Sequence, residues 1–232
     1  MTIGILADMK IAGLCLFFSN VFFAVSPSCV YGQPTAQING VVRGPQGAAF
    51  KGVTLILLSL QRARKTETDE NGKFEFLDLP LGTYELQVRQ AGVVQVPAQQ
   101  ISFSGPAVRQ ISIVLQLAAS ECFPKIQAAY EDRSDKMKLA GNIAASASAR
   151  PVKNATLTAT HKETGTTYVV KSNEKGDFQF DRLEPGKYTL KVSHHEYSEL
   201  DGVDFWVTRE NVTRLPTIYM FIKNEHSVIL CQ

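Results

Sequence analysis

Tryptophan occurs once in these 232 residues, and histidine and cysteine four times each, so the side chains that build most catalytic and metal sites are scarce. His161, His194, His195 and His226 show no metal-ligand spacing. The adjacent His194 and His195 sit at a predicted strand end, where alternation is expected to send them to opposite faces and prevent joint chelation. No C-x-x-C pair and no nucleophile–base constellation is present, so the chain is read as not an enzyme and no cofactor is expected. Charge of one sign is lacking too: 24 Lys and Arg stand against 22 Asp and Glu, for a formal net charge of +2. That balance announces no basic surface and argues against nucleic acid as a partner. Helical periodicity is almost missing.

The N-terminus carries the one long apolar run. Lys10 precedes Ile11 to Val25, and Pro27 and small residues lead to Val30-Tyr31-Gly32. Residues 1–32 therefore read as an export signal cleaved near Gly32. The apolar core is shorter than the roughly 20 residues that span a bilayer comfortably, so no stable membrane span is expected after cleavage. Signal removal takes Cys15 and Cys29 with it and leaves Cys122 and Cys231. In an oxidising compartment these two are the disulfide candidate, closing a loop of 109 residues (231 minus 122).

The rest of the chain is organised by a repeat. Residues 72–88 and 176–192 both read G-x-F-x-F-x-x-L-x-x-G-x-Y-x-L-x-V, with each matched position offset by 104 (176 minus 72). The repeat divides the chain into a signal (1–32), a first domain (36–118), a linker (119–137) and a second domain (138–232). Short strands are separated by turns about every ten residues. In the first domain Val53 to Leu58 reads as a central strand covered on both faces. Asn71-Gly72 is a tight turn, since glycine supplies the positive φ such turns require. Within the motif Gly72, Gly82, Gly176 and Gly186 redirect the chain, whereas Phe74, Phe76, Phe178 and Phe180 fill one face. Tyr84 and Tyr188 are placed to hydrogen-bond the backbone just passed, as in a tyrosine corner. The fold class is therefore all-β: two tandem seven-stranded antiparallel Greek-key sandwiches after the signal segment. A short helix is considered after Pro124 in the linker.

The motif with its leading Asp/Asn-Glu-x-Gly turn, together with Gly40-Val41-Val42 and Gly52-Val53-Thr54-Leu55, resembles the carboxypeptidase regulatory-like domain family. The resemblance implies a prealbumin-like, or transthyretin-like, sandwich over most of residues 36–222, related to Cna B-type and starch-binding-like modules. It also implies a non-catalytic accessory role on an exported protein. Two functions remain open: a structural or protein-interaction module of the bacterial envelope, whether secreted, periplasmic or at the cell surface, or a carbohydrate-binding module. The second rests on Trp206. In Val203-Asp204-Phe205-Trp206-Val207-Thr208, alternation buries Val203, Phe205 and Val207 and leaves Trp206 outward beside Asp204 and Thr208. An outward indole, extended by Tyr197, can stack on a sugar or on a partner, or can pack against the linker or the other domain. The partner is an envelope protein or a polysaccharide on these readings.

Overall fold

The computed structural model describes residues 34–90, 96–116, 126–133 and 137–223. Seven strands build the first sandwich: β1 (Thr35–Arg43), β2 (Thr54–Leu58), β3 (Ala63–Glu67), β4 (Lys73–Pro80), β5 (Gly82–Arg89), β6 (Gln99–Phe103) and β7 (Val108–Val114). They form two sheets, ordered β4-β1-β7 and β3-β2-β5-β6. Alternation decides which side chains meet between the sheets. Phe74, Phe76 and Leu79 of β4 and Tyr84 and Leu86 of β5 are buried there. Fully burying one such side chain contributes about 1.5–3 kcal/mol. β2 is buried at Leu55, Ile56, Leu57 and Leu58, as a central strand covered on both faces must be.

β8 (Ala129–Glu131) lies within the stretch assigned to the linker. Among the described residues no helix follows Pro124: residues 126–128 carry no regular element, β8 begins at Ala129, and residues 117–125 lie outside the described set. The second sandwich follows as β9 (Lys138–Ala145), β10 (Thr156–His161), β11 (Thr167–Lys171), β12 (Asp177–Phe180), β13 (Gly186–Ser193), β14 (Leu200–Val207), β15 (Val212–Arg214) and β16 (Ile218–Met220). One sheet is β11-β10-β13-β14; the other is β12-β9-β15-β8, with β16 also on β9. The last strand of this sandwich is split into β15 and β16 around Pro216. Proline has no N–H to give the ladder. In each sandwich the first and last strands pair parallel, as β1 with β7 and β9 with β15 and β16, whereas the other pairings are antiparallel.

The repeat extends to single hydrogen bonds. Asp69 Oδ1 accepts from the N–H of Asn71 and Lys73, both at 2.8 Å. Asn173 Oδ1 accepts from Lys175 and Asp177 at 2.9 and 3.0 Å. These turns require the left-handed backbone of Gly72 and Gly176, at φ 72° and 76°. A Cβ there would meet the carbonyl oxygen of Val42 or of Ile143, each at 2.3 Å. Where Gly52 has φ 74°, its counterpart Asn154 holds φ 58°, which asparagine tolerates better than other side chains. The Tyr188 hydroxyl donates to the Glu184 carbonyl at 2.8 Å, and Tyr84 makes the same bond to Pro80. Among the described residues no helix is long and apolar enough to cross a membrane.

Candidate functional site between the sandwiches

In β5 and β13, alternate side chains leave the core and face outward. The cross-strand pair Thr83 and Ser102 in the first sandwich corresponds to Lys187 and Trp206 in the second, both at an offset of 104 (187 minus 83, 206 minus 102). Thr83 and Ser102 share a hydroxyl hydrogen bond of 3.1 Å in an exposed position. Lys187 and Trp206 instead reach the first sandwich. The Trp206 indole Nε1–H donates to Glu85 Oε1 at 3.1 Å, and Lys187 Nζ donates to Glu85 Oε2 at 3.1 Å. Gln87 Nε2 adds a third donor to Glu85 Oε1 at 2.8 Å. Glu85 is only 14% exposed in its side chain, so it is largely desolvated and its acceptors are satisfied by this trio.

The polar chain continues through Arg89, whose Nη2 donates to Gln87 Oε1 at 3.3 Å and whose Nη1 donates to the Ala128 carbonyl at 2.6 Å. Burial lowers the Arg89 guanidinium from its ordinary value. Burial also pushes the neighbouring Tyr130 hydroxyl up to about 12, against the opposing pull of the Arg89 charge. Together these residues line a cleft of about 560 Å³ between β5, the strand β8 and the outer face of β14.

A second contact fixes the β2–β3 turn to the β14–β15 loop. Arg209 and Glu210 N–H groups donate to the Leu60 and Gln61 carbonyls, both at 2.9 Å. Asn211, 2% exposed, accepts from the Ala63 N–H at 2.8 Å and from Thr208 Oγ1 at 2.9 Å, and its Nδ2 donates to Asp132 Oδ1 at 2.6 Å. Arg62 Nη2 donates to the other Asp132 oxygen at 2.9 Å. Residues 60–63, the β8 segment and the β14–β15 loop are thereby tied at one point.

Trp206 is thus outward from its own sandwich and hydrogen-bonded to the other. Asp204 shares its face, but Lys162 Nζ at 2.6 Å and Thr189 Oγ1 at 2.9 Å occupy its carboxylate. Burial works to raise that carboxyl, and the hydrogen bonds from Lys162 and Thr189 overcome it and hold it below the ordinary carboxylate value. Thr208, expected outward, is instead fully buried because its hydroxyl turns inward to Asn211. Tyr197 packs on the second core, bridges to Ile222, and precedes the far end of β14. Six residue steps along β14 lead from Leu200 to Trp206, about 20 Å at the usual rise, so Trp206 and Tyr197 do not form one patch.

His194 and His195 do not point to opposite faces. Strand β13 ends at Ser193, strict alternation lapses, and the two rings lie 4.2 Å apart. With Glu196 they place their ligand atoms within 4.8 Å of one another. His194 Nδ1 already accepts the Glu196 N–H at 3.2 Å, so a metal there would have to displace a bond that shapes the loop. Burial, then the His195 charge, lowers the His194 pKa. Cys122 and Cys231, the disulfide candidates, lie outside the described residues.

Sequence reasoning missed Glu85, Lys187, Asn211, Asp132 and Arg62. A signal existed among the positions where the aligned copies differ: Glu85 stands against Thr189, Thr83 against Lys187, Ser102 against Trp206 and Ala107 against Asn211.

The family model of the carboxypeptidase regulatory-like domain matches residues 37–116 and 138–220. No curated protein matches the chain. Among solved structures, the Bacillus anthracis TIE protein is similar at 19% identity over 82% of this chain and 34% of that one, with a TM-score of 0.34. A Streptococcal ancillary pilin is similar at 18% identity over 82% of this chain and 63% of that one, with a TM-score of 0.32. The shaft pilin SpaA from Lactobacillus rhamnosus GG is similar at 8% identity over 83% and 100%, with a TM-score of 0.31. The chain thus spans about a third of the first and just under two thirds of the second.

Proposed function

The chain belongs to the carboxypeptidase regulatory-like domain family over both of its sandwiches, and from that premise we propose that it is a non-catalytic structural or protein-interaction module of the bacterial cell surface. One observation supports this most: the charged and aromatic groups that distinguish the two copies are spent on each other, across the junction. Glu85, Lys187, Trp206, Asn211 and Asp132 hold two sandwiches together and present no unpaired acid, base or nucleophile to the cleft. A module of this kind works by the relative placement of its surfaces.

Export is supported by the segment at 1–32 and is tested by fractionation. The full chain, tagged at its C-terminus and expressed in a bacterial host, should leave the cytoplasm with a mass lacking about residues 1–32. Full-length protein retained in the cytoplasm overturns the export reading. The carbohydrate alternative needs the Trp206 ring free, whereas its N–H is engaged by Glu85 and Tyr197 lies elsewhere. A glycan array should show no retained sugar. Retention that Trp206→Ala abolishes replaces the interaction reading with the carbohydrate one.

A further inference from the structure

The two sandwiches differ at one backbone edge. In the second, β15 lies between β9 and β8, and β8 pairs with it antiparallel: Val212 opposite Glu131, Thr213 opposite Tyr130, Arg214 opposite Ala129. In the first, the corresponding strand is β7, because Val108 aligns with Gln37 of β1 as Val212 aligns with Lys138 of β9. The offset is again 104 (212 minus 108). β7 ends its sheet, and no described residue pairs with its outer edge. The bonds from Gln37 N–H to Ala107 O and from Leu115 N–H to Arg43 O show that odd-numbered residues of this strand face β1. Val108, Gln110, Ser112 and Val114 therefore direct their N–H and C=O groups outward. The exposures follow: Val212 is 2% exposed and Val108 is 54%.

Side chains repeat the contrast. Tyr130 packs against the second core, lies opposite Thr213 of β15 and hydrogen-bonds the Trp206 backbone of β14, so it bridges these two strands. The equivalent space between β6 and β7 is an open groove of about 400 Å³, walled by Gln100, Ser102, Arg109 and Ile111. Arg109 takes the place of buried Thr213, is exposed, and has no acidic partner among the described residues. A charge on the groove side of an edge strand deters apolar strands and favours one that brings an acid.

We infer that the outer edge of β7 is the acceptor for an extended, acidic polypeptide strand of another protein, which adds antiparallel to Val108–Gln110 and sets an aromatic side chain in the groove beside Arg109. The partner has the chemistry of β8 itself, which shows in the same fold what such a strand looks like when docked. Main-chain hydrogen bonds supply affinity and the groove supplies selection. This names the kind of partner and rests on the interaction-module reading, while its test is made in solution and stands apart from the export test.

The probe is a synthetic peptide of residues 126–132 (Ile-Gln-Ala-Ala-Tyr-Glu-Asp), added to the isotope-labelled full chain while amide hydrogen exchange is followed. Saturating peptide should slow exchange at Val108 and Gln110 by about tenfold or more, as expected for newly paired edge amides. Exchange in β2 and β5 should not change, and that constancy also certifies the fold of each variant. Arg109→Glu should remove the slowing, as should Gln110→Pro, which deletes an outward donor without touching the β1 ladder. Four results overturn the inference. They are no slowing at any peptide concentration, equal slowing by a peptide with both acids changed to lysine, protection already complete without peptide, and protection that grows with protein concentration alone. The third result assigns the edge to another segment of the same chain, and the fourth to a second copy.

Discussion

Glu85→Ala removes the acceptor on which the inter-sandwich contact converges, and its cost can be worked from the geometry. The indole N–H of Trp206 donates to a charged oxygen at 3.1 Å, an interaction that contributes about 1.5–3 kcal/mol. The Lys187 side chain is 32% exposed, so its ion pair with Glu85 is discounted for solvent to about 1 kcal/mol at most. Water entering the truncated site, and hydration of the released ammonium, return part of this. A net loss of about 2 kcal/mol remains. With a urea dependence of about 2 kcal/mol per molar, the unfolding midpoint should fall by about 1 M. Trp206 is the single tryptophan, so its fluorescence reads this junction, while far-ultraviolet circular dichroism reads the strands of both sandwiches. The fluorescence transition should shift at least as far as the dichroism transition. In a double-mutant cycle with Trp206→Phe, the two losses should fall short of additivity by about 1 kcal/mol, because both remove the same bond. A midpoint within about 0.2 M of the parent, or strictly additive losses, refutes the assignment of Glu85 as the node.

Asn211→Ala leaves the Thr208 hydroxyl and the Ala63 N–H without their acceptor, a loss of about 2–3 kcal/mol. Calorimetry should show the melting temperature lower by about 4–12 °C, and an unchanged value contradicts the bridging role. Gly176→Ala meets the Ile143 carbonyl oxygen at 2.3 Å, whereas Gly165→Ala, at a similar φ of 71°, meets nothing within 4 Å. Gly165→Ala should cost only the left-handed strain of about 1–2 kcal/mol, and equal urea midpoints for the two variants would sink the steric argument. Alkaline pH should unfold the protein through its tyrosines. Tyr130 ionises near 10 in the unfolded chain and about 12 in the fold, so the unfolded state loses its proton first. Its share of stability is complete below about pH 10 and falls by about 1.4 kcal/mol per pH unit up to about 12. Tyr84 and Tyr188 are raised by burial in the same direction. Urea midpoints from pH 8 upward should decline less steeply in Tyr130→Phe, and equal slopes speak against its burial at the junction.

What was legible in the sequence is what depends on short-range alternation and turn chemistry. The turn glycines Gly72 and Gly176 have the left-handed φ that such a turn demands, Gly186 does not, and the motif phenylalanines and tyrosines of both copies are in the cores. Alternation placed Trp206 outward from its strand. It could not name Glu85, which is 121 residues away and on another sheet. The same limit explains β8, whose three residues carry no strand pattern until β15 lends them a ladder. His194 and His195 were misread for the opposite reason: alternation was extended past Ser193, where pairing between β13 and β14 has already become irregular. Thr208 was misread likewise, since its burial follows from Asn211 three positions later and not from the strand.

The differences between the copies also decide how far the arrangement can be repeated. The contact is heterologous: the β2–β3 turn and β5 of one sandwich meet the β13–β14 face and the β14–β15 loop of the next, and such contacts propagate when both free ends keep the same groups. Here they do not. The second sandwich carries Thr189 in place of Glu85, and its hydroxyl is taken by Asp204. The first carries Thr83, Ser102 and Ala107 in place of Lys187, Trp206 and Asn211, and two of these are paired to each other. Stacking another copy through the same contact would bury these groups without their acceptors, at about 1–3 kcal/mol for each one left unpaired. The contact is therefore not one that copies of these two sandwiches propagate. At the β7 edge, by contrast, attachment needs main-chain groups and a single arginine instead of the groups of this contact.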